Sequence, residues 1–409
     1  MDVQQLRELK PELESFLSRY LPLFVHEGNQ TNARRFVHGL LLGGERRNAE
    51  NIAEAIEGGN VRNLQCFISQ AAWRDDVVLR QARQHASELL GDDDASVQFD
   101  ETGFPKKGNK SVGVKRQYSG TLGRVDNCQI GVFCGYASRH GHTLLDRRIF
   151  LPEEWAADPE RREEAGVPES VIFRTKPELA VDMMIGLWLA RLPFKWVTGD
   201  TIYGNSPTFV EAARLLDKLY VLEVGSQMHV WLSEPKEGDK PIPVGEVLAH
   251  VPAGGWRRVN VGEGSQGPRL YEFAQLEVWF SEDGRVGPKE RLLVQRGLGP
   301  EVEHKYHRSN APVEVPLAKV AEVSGRRWTI EVDIQAAKGE CGLDEYETRG
   351  WVGWHHHTAL ALLALLFLTS QKRRLGEKRE ADDGAGGQGA AQAPAGGAPL
   401  RRRRDRLVV

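Results

Sequence analysis

The chain has 409 residues, with 54 Lys and Arg against 57 Asp and Glu, 40% hydrophobic residues and 27% charged residues. At about 100–200 residues per domain, this length predicts two or three domains with ample chain for a buried core. Ordinary apolar content without a short repeat excludes collagen, coiled coils and wholly disordered chains. The net charge of −3 gives no overall attraction to nucleic acid, so a DNA-binding role would depend on local basic patches.

The spacing of the cysteines and the length of the apolar runs indicate the cellular compartment. Cys66, Cys128, Cys134 and Cys341 lack C-x-x-C spacing, and the N-terminus lacks an apolar signal segment. Scattered thiols are typical of a reducing compartment. The most apolar run, residues 358–369, is shorter than the roughly 20 residues that a membrane span needs, so it predicts a core helix. The sequence thus predicts a soluble cytoplasmic protein without a membrane segment.

Residues 1–95 carry apolar side chains at helical spacing, which predicts a bundle of short helices. Arginines are scattered through this segment: Arg34, Arg35, Arg46, Arg47, Arg62, Arg74, Arg80 and Arg83. Such a pattern fits a DNA-binding domain or a solvated helical face, and charge alone favours the solvated face.

Residues 96–224 change to a strand-rich pattern. Strands are predicted at 96–100, 129–137, 143–151, 195–200 and 219–224, with helices at 177–192 and 207–216. Three strands followed by alternating helices and strands predict an α/β fold with a mixed sheet flanked by helices.

The rest of the chain divides into three segments. Residues 225–315 hold short alternating runs among Pro, Gly and aromatic residues, which predicts a β-rich insertion subdomain. Helical spacing returns over 316–375. Residues 376–409 form a Gly/Ala/Pro-rich segment that predicts a disordered tail. Its arginines at 401–404 and 406 either contact phosphates or have no role.

Three acidic residues occupy positions suited to catalysis. Asp100 and Asp200 each end a predicted apolar strand, and Glu331 lies on the helix after the insertion. Because ligands bind at the carboxyl ends of sheet strands, we expect the two aspartates to converge there. Carboxylates without nearby His or Cys suit Mg²⁺ or Mn²⁺. Two such ions activate an attacking water and stabilise the leaving oxygen of a phosphodiester.

The helix that carries Glu331 has a further pattern. Arg327, Glu331, Gln335 and Lys338 are spaced so that they share one face. This face suits an anionic backbone held beside metal ions, although by itself it equally describes an ordinary salt-bridged helix.

The same helix resembles the last catalytic helix of bacterial insertion-sequence transposases of the DDE type, which have an RNase H-like catalytic core. That family carries Tyr, two residues, Arg, three residues, Glu, six residues and Lys. Arg327, Glu331 and Lys338 match this signature, and Ser324 stands in place of the tyrosine.

The surroundings of both aspartates extend the resemblance over roughly residues 30–370. Asp100 precedes a glycine-rich turn, and Asp200, Tyr203 and Gly204 form the family's Asp-x-x-Tyr-Gly motif. The β-rich insertion between the second Asp and the Glu, and the apolar helix after it, are also features of the group.

The resemblance implies a transposase that binds transposon ends, cleaves them and joins the 3′-hydroxyl to target DNA. Asp100, Asp200 and Glu331 would hold two Mg²⁺ or Mn²⁺ ions, with Arg327, Lys338 and Tyr203 on the DNA. The expected partners are double-stranded transposon-end and target DNA and a second copy of the chain, a homodimer in the synaptic complex near the bacterial nucleoid. Two alternatives stay open: a nuclease of the same fold without strand transfer, and a transposase-derived DNA-binding protein that no longer cuts.

Lys106 and Lys107, in the loop after Asp100, either line the DNA path or belong to a solvated loop. Other polar residues have simpler explanations. His355–His357 fit helix packing better than a zinc site, and the tryptophans of the insertion fit a buried core better than base stacking. Acidic neighbours able to supplement or replace a member of the trio are Glu101, Asp146, Asp333 and Glu340, of which Glu340 is out of helical phase with Glu331.

Overall fold

The computed structural model describes residues 3–42, 44, 46–120, 123–264, 267–299 and 302–386. The chain forms two compact units. One comprises Met1–Val78, Ala337–Glu347 and His356–Val409, and the other comprises Leu79–Ala336 and Thr348–His355. These units do not coincide with the five predicted segments, whose status as domains stays a prediction.

The N-terminal segment is helical, as its apolar spacing predicts. Its helices are α1 (Val3–Ser18), α2 (Glu27–Leu42), α3 (Ala49–Ala55), α4 (Val61–Ser69) and α5 (Asp75–Leu90). Asparagine side chains cap two of them, because Asn48 accepts from the backbone N–H of Asn51 and Asn60 from that of Asn63. Such caps satisfy N–H groups that a helix start leaves unpaired.

The second unit is built on a mixed sheet. Its first elements are β1 (Ser96–Pro105), β2 (Lys115–Ser119), β3 (Arg124–Ser138), β4 (Gly141–Phe150), α6 (Glu153–Ala156), α7 (Pro159–Ala165), α8 (Lys176–Leu189), β5 (Trp196–Gly199), α9 (Thr201–Gly204), α10 (Pro207–Leu215) and β6 (Leu219–Val224). Strand β1 pairs antiparallel with β3 and parallel with β5, and β5 pairs parallel with β6. The predicted mixed α/β fold, consistent with an RNase H-like core, is confirmed.

Two strands differ from the sequence prediction. Strand β2 was not expected from the sequence, and β1 continues past Asp100 to Pro105 instead of ending at it. The continuation has a partner, because β3 pairs with β1 along its whole length whereas β5 pairs only with Ser96–Phe99. Asp100 therefore lies just beyond the parallel part of the sheet.

The insertion supplies six more strands: β7 (His229–Trp231), β8 (Ile242–Pro243), β9 (Arg257–Gly264), β10 (Gly267–Glu282), β11 (Arg285–Arg296) and β12 (His304–Ser309). They do not form a separate sheet. Strand β12 pairs antiparallel with β6, so the insertion extends the first sheet into one of 12 strands. Its β-rich character was predicted, but this continuity was not, because pairing between distant segments leaves no local sequence signal.

Three helices complete the described chain: α11 (Leu317–Arg326), α12 (Trp328–Cys341) and α13 (Trp351–Gly386). Helix α11 packs Val320, Ala321 and Val323 in one core cluster with Trp196 of β5 and Val221 of β6. The sheet and this helix thus bury a shared apolar layer, which fixes the start of α12 beside the strands that carry the aspartates.

Helix α13 is longer than the sequence predicts. It continues to Gly386 through residues where the tail was expected to begin, because Arg, Glu, Lys and Ala at 373–381 are good helix formers. Its segment Trp351–Gly376 is long and apolar enough to cross a membrane, yet 89% of its apolar window is buried in the protein. This burial fits the predicted core helix. The arginines at 401–404 and 406 lie outside the described residues.

The core of the helical unit is aromatic. The His356 ring stacks on Trp73 with centroids 3.7 Å apart, and Trp73 stacks on Phe67 at 5.5 Å. Phe36 meets His357 edge-on. Both histidine rings face backbone carbonyl oxygens, so these side chains pack, as the sequence favours over a zinc site.

Candidate active site

Asp100 and Asp200 meet at the end of the parallel strands. Phe99 of β1 pairs with Gly199 of β5, so the next residues, Asp100 and Asp200, lie at the same level of the sheet. Their predicted convergence agrees with the rule that sites form at carboxyl ends of strands. One oxygen of each lies within 4.8 Å of the other and of a Glu101 oxygen.

Glu101 is the member of this cluster that the sequence indicates only as an acidic neighbour. Its carboxylate is 2.8 Å from Nζ of Lys176 at the start of α8. It also accepts a 3.3 Å hydrogen bond from the hydroxyl of Tyr203 on α9. Asp100 and Glu101 are consecutive residues of β1, and each places a carboxylate oxygen near Asp200.

The Asp-x-x-Tyr-Gly motif has a local structural explanation. Asp200 caps α9 by accepting the backbone N–H of Ile202 at 2.9 Å. Tyr203 is fully buried and reaches Glu101. A Cβ at Gly204 would overlap the carbonyl oxygen of Glu223, so only glycine lets α9 approach β6 this closely. The motif therefore fixes Asp200 at the carboxyl end of β5.

Arg327 joins β1 to the helix that carries Glu331. Its Nη2 lies 2.6 Å from Glu331 Oε1, and its Nη1 lies 3.3 Å from Asp100 Oδ2. Among the described residues Glu331 does not belong to the group whose oxygens lie within 4.8 Å of one another. The structure thus brings Glu331 to the site through Arg327, with its own side chain about 40% exposed.

Glu223 of β6 is a fourth acidic residue next to the cluster of Asp100, Glu101 and Asp200. Leu222 of β6 pairs with Gly199, which places Glu223 beside Asp200, and Glu223 in turn pairs with His307 of β12. Lys305 lies 3.6 Å from the Glu223 carboxylate. Glu223 was not expected from the sequence, since its place beside Asp200 depends on the register between β5 and β6. Its position within an apolar strand that follows Asp200 is the only sequence signal.

The site strongly disfavours its own negative charge. Burial, the neighbouring Asp200 and Glu101 raise the pKa of Asp100 to about 7, against the opposing effect of Arg327. Burial and Glu101 raise the pKa of Asp200 to about 6, against the backbone N–H of Ile202 and Arg327. Burial, with Lys305 and Arg327, lowers the pKa of His307 to about 3, so this ring is neutral. A cation at the carboxylates would relieve this cost.

One predicted DNA contact, Tyr203, is placed differently from what the sequence predicts. Tyr203 is fully buried, which does not fit a contact with DNA. Its ring packs on Phe99 and Phe209, because the helix that carries it lies against the sheet. Lys106 and Lys107 follow the end of β1, and at ~3.3 Å per strand residue Lys106 lies roughly 20 Å from Asp100. Their place along the DNA path stays a prediction.

Lys338 lies on α12, seven residues after Glu331, and is half-buried. Burial lowers its pKa, opposed by Asp344. Its predicted contact with DNA stays a prediction.

The remaining acidic neighbours are held by other contacts. Asp146 is buried, and Arg148 and Arg83 lie 2.8 and 2.9 Å from it. Asp333 is 2.8 Å from Nδ1 of His142. Asp146 is therefore held by ion pairs and Asp333 by a contact with a histidine ring.

The insertion tryptophans are half-buried instead of fully buried. Two of them carry a cation over the ring: Arg296 over Trp256 at 3.9 Å and Lys289 over Trp279 at 5.4 Å. Trp231 donates from its indole to the carbonyl of Asp239. Their polar edges explain why the predicted full burial is wrong, since an indole N–H and a stacked cation both need access to polar surroundings.

The donor set of the acidic cluster can be compared with metal preferences. Asp100, Glu101 and Asp200 offer only carboxylate oxygens, which are hard ligands that suit Mg²⁺ or Mn²⁺. Burial is the main cause that raises the pKa values of both aspartates, and a cation at the carboxylates would offset this cost. The residues therefore fit a divalent cation.

The mixed sheet gathers carboxylates at the end of its parallel strands, an arrangement that suits a divalent cation. The comparison with known families specifies the class of protein. The sequence profile of the family described as DDE superfamily endonuclease matches residues 19–268, so the chain belongs to this family.

Two individual proteins are similar to the chain. One, from Microchaete diplosiphon, is described as a probable transposase for insertion sequence element IS701, and it is 29% identical over 205 residues. The match covers 48% of this chain and 50% of the relative, so the chain spans half of that relative's length. The other is the crystal structure of the NurA nuclease from Sulfolobus solfataricus, with 9% identity and a TM-score of 0.26, covering 61% of this chain and 81% of that one.

Proposed function

We propose that this protein is a DNA transposase that binds transposon ends, cleaves them and joins the freed 3′-hydroxyl to target DNA. Its membership of the DDE superfamily endonucleases and its similarity to a probable transposase support this proposal. The observation that carries it is the cluster of Asp100, Glu101 and Asp200 oxygens within 4.8 Å of one another.

Asp100, Asp200 and Glu331 are proposed to hold two Mg²⁺ or Mn²⁺ ions, and Glu101 is positioned to contribute. When bound, these ions supply an activated attacking oxygen and stabilise the leaving oxygen of a phosphodiester. The protein contributes the fixed positions of its carboxylates. Capping of α9 by Asp200 and the bonds of Glu101 to Lys176 and Tyr203 hold two of them in place before DNA arrives.

Basic side chains near the two ends of α12 are proposed to bind the DNA backbone. The guanidinium of Arg327, directly before this helix, lies between Asp100 and Glu331, where a phosphate close to the carboxylates would be within its reach. Lys338 lies toward the C-terminal end of the helix. Arginine suits this role because its planar fork pairs with two oxygens of a phosphate.

The proposal is tested by nicking of supercoiled plasmid in Mg²⁺. Replacing Asp100, Asp200 or Glu331 by Ala should abolish nicking while circular dichroism shows an unchanged fold. The exposed Glu160 on α7 provides a control, since Glu160→Ala should nick normally. Normal nicking by Asp200→Ala would overturn the assignment of the site.

Strand transfer needs its own measurement. A duplex with a free 3′-hydroxyl should become joined covalently to plasmid DNA in the presence of the wild-type protein and Mg²⁺. Nicking without joining would favour the alternative, a nuclease of the same fold. Because joining two ends requires two active sites, we also propose a homodimer on DNA in the bacterial cytoplasm, which sedimentation with and without duplex DNA would test.

A further inference from the structure

Helices α11 and α12 are separated by a single residue, Arg327. Shortly before this junction, the Ser324 hydroxyl donates to the carbonyl of Ala321 at 2.7 Å, a kind of bond that often bends a helix. Arg327 lies 3.3 Å from Asp100, and Glu331 follows one helical turn later. The direction in which α12 leaves the junction therefore decides where Glu331 lies relative to the aspartates.

The insertion packs closely against the end of α11. A Cβ at Gly325 would lie 2.3 Å from the backbone carbonyl oxygen of Val261 on β9, so only glycine allows this approach. Val261 is itself buried in one core cluster with Val320 and Val323 of α11. The paired strands β9 and β10 are therefore close enough for one of their side chains to reach the junction.

A bulge in the β9–β10 pair places Arg269 at this point. Between two regular pairs of these strands, Val261 and Gly262 of β9 lie opposite a single residue of β10, Arg269. Gly262 has a φ of +124°, a conformation that favours glycine. Bulges of this kind change the direction of a side chain, and they are common next to active sites.

The Arg269 guanidinium contacts both helices at the junction. Its Nη2 donates to the carbonyl oxygen of Gly325 in α11 at 2.8 Å and to that of Val261 at 3.3 Å. Its central carbon lies 4.8 Å from the centre of the ring of Trp328, the first residue of α12. One side chain of the insertion therefore holds the end of one helix and the start of the next.

We propose that Arg269 is a positioning residue for the metal site. By holding the junction, it fixes the direction of α12 and thereby the positions of Arg327 and Glu331. This inference rests on the proposed function, in which Glu331 helps to hold the metal ions. It gives the β-rich insertion a part in building the site, because Arg269 acts through Glu331 and contacts neither the ions nor DNA in this role.

The sign of the effect on metal affinity separates position from charge. Burial lowers the pKa of Arg269, whereas Tyr271 and Glu331 raise it, so the guanidinium and the Glu331 carboxylate interact. Loss of a nearby positive charge alone would strengthen the binding of a divalent cation. Loss of position would weaken it, because Glu331 would no longer be placed to contribute.

The test is a double-mutant cycle on full-length, DNA-free protein, measured by isothermal titration calorimetry with Mn²⁺. Arg269→Ala should lower the Mn²⁺ affinity roughly 10- to 100-fold, the usual effect of removing a group that orients a metal ligand. In Glu331→Ala protein the same substitution should change the affinity less than about twofold, since Arg269 acts through Glu331. Arg258→Ala is the matched control, because Arg258 is an exposed arginine on β9, and it should bind Mn²⁺ as the wild type does.

A milder variant covers the case in which circular dichroism shows that Arg269→Ala does not fold. Arg269→Lys keeps the charge and a donor but loses the planar group over Trp328, so it should lose affinity by a smaller factor. Wild-type or higher Mn²⁺ affinity in the folded variant, or an equal loss with and without Glu331, would overturn the positioning role. If wild-type protein nicks plasmid, such a result refutes the role of Arg269 alone, whereas absent nicking by wild-type protein contradicts the proposed function itself.

Discussion

Nη1 of Arg327 lies 3.3 Å from Oδ2 of Asp100, which joins the junction of α11 and α12 to strand β1. The same guanidinium pairs with Glu331 through its other nitrogen. One fixed cation therefore links two of the three proposed metal ligands in the DNA-free protein. It neutralises part of the charge that divalent ions would neutralise on binding.

Removing this cation should change metal binding and DNA cleavage in opposite directions. In Arg327→Ala, Asp100 and Glu331 lose their competing partner, so Mn²⁺ affinity without DNA should rise about tenfold, or ~1.4 kcal/mol. Plasmid nicking should fall, since a phosphate contact is lost. Isothermal titration calorimetry measures the affinity, with the exposed Arg285→Ala as control. A weaker Mn²⁺ affinity in Arg327→Ala would show that the arginine positions the ligands and does not compete for them.

The raised pKa of Asp100 predicts how stability depends on pH. Its folded value is about 7, against roughly 3.9 in an unfolded chain. Between these values the folded protein binds more protons than the unfolded chain, so this residue's contribution to stability falls as pH rises from about 4 to 7. In metal-free protein at pH 8, Asp100→Asn should therefore raise the Tm, by roughly 2–4 °C per kcal/mol gained, with little change near pH 4.

Asp126 gives a control of opposite sign, because the N–H of Asn127 and the side chain of Arg124 lower its pKa, and Asp126→Asn should not raise the Tm. Added Mg²⁺ should stabilise wild-type protein more at pH 8 than at pH 5, since the ligands must be deprotonated. A Tm for metal-free Asp100→Asn that falls below wild type at pH 8 would contradict the assigned cost of this charge.

Gly204 should tolerate no side chain. In Gly204→Ala the new Cβ would overlap the carbonyl of Glu223, so α9 must move and the protein should lose about 1–3 kcal/mol of stability. Nicking should fall as well, because α9 holds Asp200. Gly186 on α8 has open space where a Cβ would lie, so Gly186→Ala should gain about 0.5–1 kcal/mol. Equal effects of the two substitutions in chemical denaturation would refute the close approach.

Lys338 and Glu331 should separate into different roles. Lys338→Ala should weaken duplex binding or strand transfer without lowering Mn²⁺ affinity, because an ammonium contacts phosphate and not the ions. Glu331→Ala should lower Mn²⁺ affinity. Calorimetry with Mn²⁺ and anisotropy with duplex DNA provide the two readouts. If Lys338→Ala loses as much metal affinity as Glu331→Ala, the roles assigned along α12 are wrong.

The sequence predicts those parts of the site that depend on local pattern. Asp200 could be placed because an apolar strand ends directly before it, and Arg327 and Glu331 because their spacing puts them on one helix face. Glu101 could not be ranked above the other acids. Its approach to Asp200 depends on β5 ending at Gly199 while β1 continues along β3. The pairing of Glu223 with His307 depends on register between strands more than 80 residues apart in the sequence, which no local pattern encodes.

The pairing of β12 with β6 also affects what a shortened form of this protein could do. Without the insertion, β6 would be an edge strand whose N–H and C=O groups are open to another chain. Its residues Val221, Leu222 and Val224 are buried, and their exposure would add apolar surface that favours association. A minimal catalytic core made by deleting residues 225–315 is therefore expected to self-associate. The inserted strands thus cover the edge of β6 and keep it from pairing with other chains.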